Sequence, residues 1–233
     1  FLDINKGKSS SSPSDFTTYQ SSLYFSANDG RKGQELWTTN GNGKATQRLT
    51  DINPGAKSSS PSDLLALNNK LYFAAHDGKR GRELWSYSLQ AKTSSLIRDI
   101  RTGSNQGSNP SELTALKDQI IFAAEGDTYG RELWISNGSR KGTQLLKDIN
   151  PGGLDSNPQD LNMMDDHIYF LADTYFNGRQ ILKLNGRSLT ISELMGSNDD
   201  ATAFQPDELH ASRDQLFYSA ETTLQPTQSS DQS

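Results

Sequence analysis

Five carboxylates stand out by spacing alone. Asp15, Asp63, Glu112, Asp160 and Glu208 recur at steps of 48 or 49 residues, each two positions after a proline. Brought around one axis, such groups would repel one another and favour a bound cation such as calcium, or arginine partners such as Arg82, Arg131 and Arg179. Converging carboxylates can also hydrolyse a glycosidic bond, one as acid and one as base or nucleophile. The simpler reading is local: each acid accepts backbone N–H bonds in its own Ser-x-Pro-x-Asp turn. Two features favour the simpler reading. The acids obey the repeat, whereas catalytic groups on a repeat scaffold should break it, and no Asp-x-Asp-x-Asp-Gly calcium loop occurs.

A second set, Glu35, Glu83 and Glu132, lies two residues before Trp37, Trp85 and Trp134. In a strand that spacing puts acid and indole on one face. The expectation is structural: a carboxylate hydrogen-bonded between repeats, or paired with Arg, beside a packing ring. Mid-strand tryptophans suit a core better than a sugar platform. The three histidines, His76, His167 and His210, occupy unrelated repeat positions, so they form no ligand or acid–base set. With no cysteine, no Gly-x-Ser-x-Gly elbow, no phosphate-cradling Gly-rich loop and no His-Glu-x-x-His stretch, the sequence offers no catalytic motif.

The elements that must position these groups follow from the same period. The tryptophans are 48 and 49 residues apart, and Pro13, Pro61, Pro110, Pro158 and Pro206 keep step through five units. Within the second unit, 63–67 and 70–75 read as a hairpin around Asn68-Asn69. An Asp77-Gly78-Lys79-Arg80-Gly81 reversal then leads into the strand 83–87, and 94–100 supplies a fourth. No segment has helical periodicity. A four-stranded antiparallel unit cannot bury both of its faces alone, so neighbours must stack on it. That predicts an all-β protein, a β-propeller of four-stranded blades, five in number with the fifth incomplete, or a fragment of a larger propeller. A stacked β-solenoid is the alternative. The units run over 5–52, 53–100, 101–149, 150–197 and 198–221. Phe1-Leu2-Asp3-Ile4 matches a fourth strand and is expected to close the ring, and 222–233 reads as a polar, disordered tail.

In such blades the loops after the second and fourth strands share one end. The predicted binding surface is therefore the loop face carrying Asp29, Arg31, Lys32, Asp77, Lys79, Arg80, Asp127 and Tyr129. Composition narrows the partner. A net charge of −5, with basic residues scattered among acidic ones, provides no stripe for nucleic acid. No apolar run is long enough to span a membrane. The partner expected is a glycan or a protein, with no cofactor beyond a cation at the acid ring. The incomplete fifth blade could also pair its open edge with another chain.

At Gly33-Gln34-Glu35-Leu36-Trp37, Gly81-Arg82-Glu83-Leu84-Trp85 and Gly130-Arg131-Glu132-Leu133-Trp134 the chain resembles the ELWxxDGT repeat family of bacterial, often cyanobacterial, secreted proteins. The resemblance extends to Asp148-Ile149-Asn150-Pro151-Gly152 and to Tyr72-Phe73-Ala74-Ala75, and covers all but the tail. It departs at the weak Asn40-Gly41-Asn42 and Asn137-Gly138-Ser139, and in the fourth unit, where Gln180-Ile181-Leu182 replaces Glu-Leu-Trp. The resemblance implies propeller-like domains at a cell surface or outside the cell, and it carries no catalytic residues. The expected function is thus a non-catalytic extracellular binding, adhesion or scaffold module. The alternatives are a glycoside-active propeller enzyme and a structural cell-envelope component.

Overall fold

A computed structural model describes residues 2–103, 106–194 and 205–221. The first unit contributes β1 (Ser14–Tyr19), β2 (Ser22–Asn28), β3 (Gln34–Thr39) and β4 (Gln47–Arg48); the second contributes β5 (Ser62–Leu67), β6 (Lys70–His76), β7 (Arg82–Ser88) and β8 (Thr93–Arg98). The third contains β9 (Ser111–Leu116), β10 (Gln119–Glu125), β11 (Arg131–Ser136) and β12 (Gln144–Lys147). The fourth contains β13 (Gln159–Met164), β14 (His167–Thr174), β15 (Gly178–Asn185) and β16 (Ile191–Glu193), and the hairpin β17 (Gln205–Ser212) and β18 (Gln215–Glu221) follows. Each of the first four units is a separate antiparallel sheet in simple meander order.

The alternation of side chains explains why these sheets stack. In β6, Leu71, Phe73 and Ala75 face back onto Tyr24 and Leu36 of the first sheet, while Tyr72 faces forward onto Ile120, Phe122 and Ala124 of the third. The next seam repeats the scheme, with Ile121 and Leu133 against Ile168, Phe170 and Ala172. The second strand of each four-stranded sheet is thus buried on both faces, which accounts for its nearly continuous apolar sequence. Neighbouring first strands pack on one another, β1 on β5, β5 on β9, β9 on β13 and β13 on β17, so the first strand of each sheet is innermost. The sheets are blades around an axis. No comparable packing joins β17 back to β1.

One expectation is corrected here. Residues 2–4 form no strand and close no ring. Ile4 instead packs on Phe25, Ala27 and Trp37 of the first blade. Asn5 Nδ2 donates to Ser10 O, as Asn53 Nδ2 donates to Ser58 O and Asn150 Nδ2 to Asp155 O. Residues 3–7 therefore repeat the Asp-Ile-Asn linker that precedes the second and fourth blades, and Ile4 lies on the blade its linker enters. Residue 1 and the polar segment 222–233 lie outside the described residues.

Candidate functional site

Each inner strand carries one extra residue at its acid. Ser14 pairs with Ser26 and Thr17 with Tyr24, a bulge that recurs between Ser62 and Leu65, Ser111 and Thr114, and Gln159 and Asn162. Asp15, Asp63, Glu112 and Asp160 occupy it with φ of 53°, 54°, 61° and 52°. Left-handed backbone costs a non-glycine residue about 1–2 kcal/mol, so each of the four positions must be held by something stronger. The holding contact lies across the seam. Asp15 Oδ1 accepts the N–H of Asp63 at 3.1 Å, Asp63 Oδ1 that of Glu112 at 2.9 Å, Glu112 Oε2 that of Leu161 at 3.2 Å, and Asp160 Oδ2 that of Leu209 at 2.9 Å.

The local-turn reading is therefore wrong about the donor. The bulge turns each carboxylate onto the next blade, and the partner N–H is 48 or 49 residues away. Burial raises the Glu112 carboxyl above its ordinary value, the Leu161 N–H opposes that, and the charges of Asp160 and Asp63 add to the rise. The arginines lie beside this ladder. Arg131 Nη1 donates to Asn109 O at 2.8 Å and Nη2 to Ser111 Oγ at 2.5 Å, and Arg82 likewise reaches Ser60 O and Ser62 Oγ. Both pin the turn that enters an inner strand. Burial lowers the Arg82 guanidinium while Asp63 and Asp15 act to raise it. Arg179 donates to Gln159 Oε1 at 2.5 Å. Among the described residues no three His, Asp or Glu side chains are grouped to hold a metal ion.

Glu35, Glu83 and Glu132 are fully buried and act as clasps. Glu83 accepts the N–H of Ile100 at 3.1 Å, the N–H of Ser108 at 2.9 Å and the Ser108 hydroxyl at 2.5 Å. Glu132 does the same with Ile149 N–H, Ser156 N–H and Ser156 Oγ, and Glu35 with Thr50 Oγ1, Ile52 N–H and Ser59 N–H. Each ties its own third strand to both ends of the linker leading to the next blade. Burial pushes the carboxyls of Glu83 and Glu132 up to about 7, against the donors that hold them down. The adjacent indoles are packed as expected: Trp37 and Trp134 are buried, and Trp85 is half-buried against the seam of the first two blades. Trp134 Nε1 donates to Ala124 O at 3.0 Å.

The loops between second and third strands are brought to one end with the linkers. Asp29 Oδ1 accepts from the N–H groups of Arg31 and Lys32, and Asp77 Oδ1 from those of Lys79 and Arg80. Burial acts to raise both carboxyls, but these N–H bonds, with Arg48 beside Asp29 and Arg80 beside Asp77, hold them below the usual carboxylate range. The residual charges are also used: Lys32 pairs with Asp51 at 2.7 Å, Arg80 with Asp77 at 2.6 Å, and Asp127 accepts from Thr102 N–H and Oγ1 at 2.9 Å. Gly33 sits at φ 70° where a Cβ would lie 2.5 Å from Lys57 O, so the loop and the following linker meet backbone to backbone. Of the eight predicted residues, Arg31, Lys79, Arg80, Asp127 and Tyr129 are exposed, and the side chains of Arg31 and Lys79 make no hydrogen bond or ion pair among the described residues.

What sequence reasoning missed is at the same end of the fourth blade. Thr174-Tyr175-Phe176-Asn177-Gly178 stands where the first two units have Asp-Gly-x-x-Gly. Phe176 is 88% exposed and Tyr175 60%, their rings edge to face at 4.9 Å. Beneath them is a cavity of about 220 Å³ floored by Ile149, Pro151, Leu182 and Ile191 and rimmed by Lys147 and Glu193. The signal was a break in the repeat, which a search for regularity passes over.

No protein-family model matches the chain, and no curated protein does. Solved structures do. A prolyl endopeptidase shares 13% identity over 86% of this chain and 28% of its own, with a TM-score of 0.52. The acylaminoacyl peptidase of Pyrococcus horikoshii shares 11% over 88% of this chain and 31% of its own, at 0.52. The chain is a β-propeller. It spans about a third or less of the length of these two structures, and at such identity the likeness is one of fold alone.

Proposed function

We propose that this chain is a non-catalytic binding module of an extracellular or cell-surface protein, and that it takes a glycan or a protein segment on its loop end. The observation that carries this reading is the division of labour among the polar side chains. Four axial carboxylates are held by backbone N–H groups of the next blade, three strand carboxylates hold linkers, and two loop aspartates hold their own loops. Groups that could have done chemistry are committed to structure. The loop end offers to solvent Arg31 and Lys79, whose side chains are unpaired among the described residues, together with Arg80, Asp127, Tyr129 and the Tyr175–Phe176 pair over its apolar cavity. Exposed aromatic rings beside a few charges on a rigid scaffold suit recognition.

The test is a glycan array and a surface-protein pull-down with the chain, repeated with Phe176→Ala and Tyr175→Ala. Binding that both substitutions weaken supports the reading. Robust hydrolysis of a polysaccharide that Asp63→Asn or Asp160→Asn abolishes, in protein that remains folded, overturns it in favour of axial catalysis.

A further inference from the structure

At the end opposite the loop face, the seam between the first two blades is built differently from the two that follow. Those two are closed by glycine. Gly138, in the turn between β11 and β12, lies so near the second blade that a Cβ there would collide with the Tyr72 hydroxyl. Gly186, its counterpart between β15 and β16, fits against Leu116 and accepts a hydrogen bond from Lys117 Nζ at 3.1 Å. The repeat places Leu89 at the same position of the second blade. With a side chain at 89, the β7–β8 turn cannot close on Tyr24 as Gly138 closes on Tyr72, and a cleft of about 420 Å³ stays open between the first two blades.

The lining of this cleft is polar and unpaired. Tyr24 and Tyr87 are 8% and 4% exposed, both line it, and neither hydroxyl makes a hydrogen bond among the described residues. Ser136 and Leu184 stand where Tyr87 stands in the second blade, so its hydroxyl belongs to this seam alone among those three blades. Burial raises the Tyr87 hydroxyl above its ordinary value and Tyr24 beside it acts in the same sense, which keeps Tyr87 protonated and able to donate. At the mouth the exposed amides of Gln20, Gln47 and Asn69 add donors and acceptors that have no side-chain partner among the described residues. Buried hydroxyls are nearly always paired, so two unpaired ones in one cleft call for a ligand that both donates and accepts. We infer that the cleft holds one sugar unit of a glycan, its hydroxyls bonded to those of Tyr24 and Tyr87 and the adjoining units met by the amides at the mouth. A phosphate or nucleotide would want more cations than Lys92, since Arg48 is paired with Asp29 at 2.7 Å. An apolar side chain would leave both tyrosine hydroxyls stranded. The site is at the other end of the molecule from the Tyr175–Phe176 cavity, and the inference does not depend on what that cavity binds.

A glycan array, followed by titration calorimetry with each oligosaccharide retained, tests this. The wild-type chain should retain at least one oligosaccharide that Phe176→Ala retains equally well. Tyr87→Phe, which removes a hydroxyl and keeps the ring, should weaken that binding about threefold to tenfold, and so should Gln47→Ala. Gln47→Trp, whose ring would stand in the mouth, should abolish it. Circular dichroism and the urea midpoint report whether each variant is folded; Gln47 is exposed, so its two variants decide the matter even if Tyr87→Phe is destabilised. Failure of the wild-type chain to retain any oligosaccharide overturns the inference. Binding that the Tyr87 and Gln47 variants leave intact also overturns it, and if Phe176→Ala removes such binding the sugar sits at the loop end instead.

Discussion

The first three blades and the fourth are built to one plan and held by different means. In the first three, a buried glutamate grips the linker to the next blade at two or three backbone N–H groups and a hydroxyl. In the fourth, Gln180 takes that position, and its Nε2 donates to Asn177 O at 2.7 Å within its own loop. Leu182 replaces the indole, and the Asp-Gly loop has become Thr174-Tyr175-Phe176-Asn177-Gly178. Among the described residues Gln180 grips no linker, and its loop carries rings outward over a cavity. In this scaffold the structural constraint and the presented surface trade off blade by blade.

The largest test of that contrast is to cut one clasp of each kind. Glu83→Ala strands two N–H groups and a hydroxyl in a dry seam, and should cost on the order of 3 kcal/mol, read as a lowered urea midpoint. Gln180→Ala should cost less than about 1 kcal/mol, because it removes one local bond. Equal losses would erase the distinction. The pH dependence comes next. The folded-state carboxyls of Glu83 and Glu132 lie near 7 against an ordinary 4.5, so the folded protein holds protons that the unfolded chain releases. Their contribution to stability is greatest below about pH 4.5, is lost as pH rises towards 7, and is level beyond it. Glu83→Gln should remove a share on the order of 1–3 kcal/mol of that slope between pH 4.5 and 7, measured by urea unfolding at stepped pH. An unchanged slope would mean the clasp is ionised throughout.

A smaller effect is expected from Gly33→Ala, about 1–2 kcal/mol, since the new Cβ would press on Lys57 O and the backbone is left-handed there. Calorimetry would read it as a lowered Tm. Smallest in stability is Phe176→Ala, within about 0.5 kcal/mol by the same measurement, because the ring is almost wholly exposed. Its effect should fall on binding instead. A large loss of stability would show that the ring packs in solution and is no docking surface.

The blades were legible because burying both sides of a sheet imposes two-residue alternation and a fixed unit length, as in 70–75, and both survive in a bare string of letters. The axial acids were legible as positions and not as contacts. Nothing near Asp15 in sequence announces that its partner is the N–H of Asp63, since the bulge that aims it is a backbone event. Glu83 was closer to readable: its burial follows from sharing a face with Trp85, although the hold on Ser108 crosses 25 residues. The Tyr175–Phe176 cavity was hidden by method, because aligning copies highlights what they share and those rings exist only where the copies differ.

The bulged acid of the inner strand has one more consequence. Each unit brings a hook on one flank and an eye on the other, both encoded within the same stretch of chain. A duplication that inserts another copy of the unit inserts a joint that already fits both neighbours, with no compensating change elsewhere. Lengthening or shortening the array is then mutationally cheap, whereas inverting the order of hook and eye is forbidden, so lineages carrying this unit should vary freely in copy number and never in polarity.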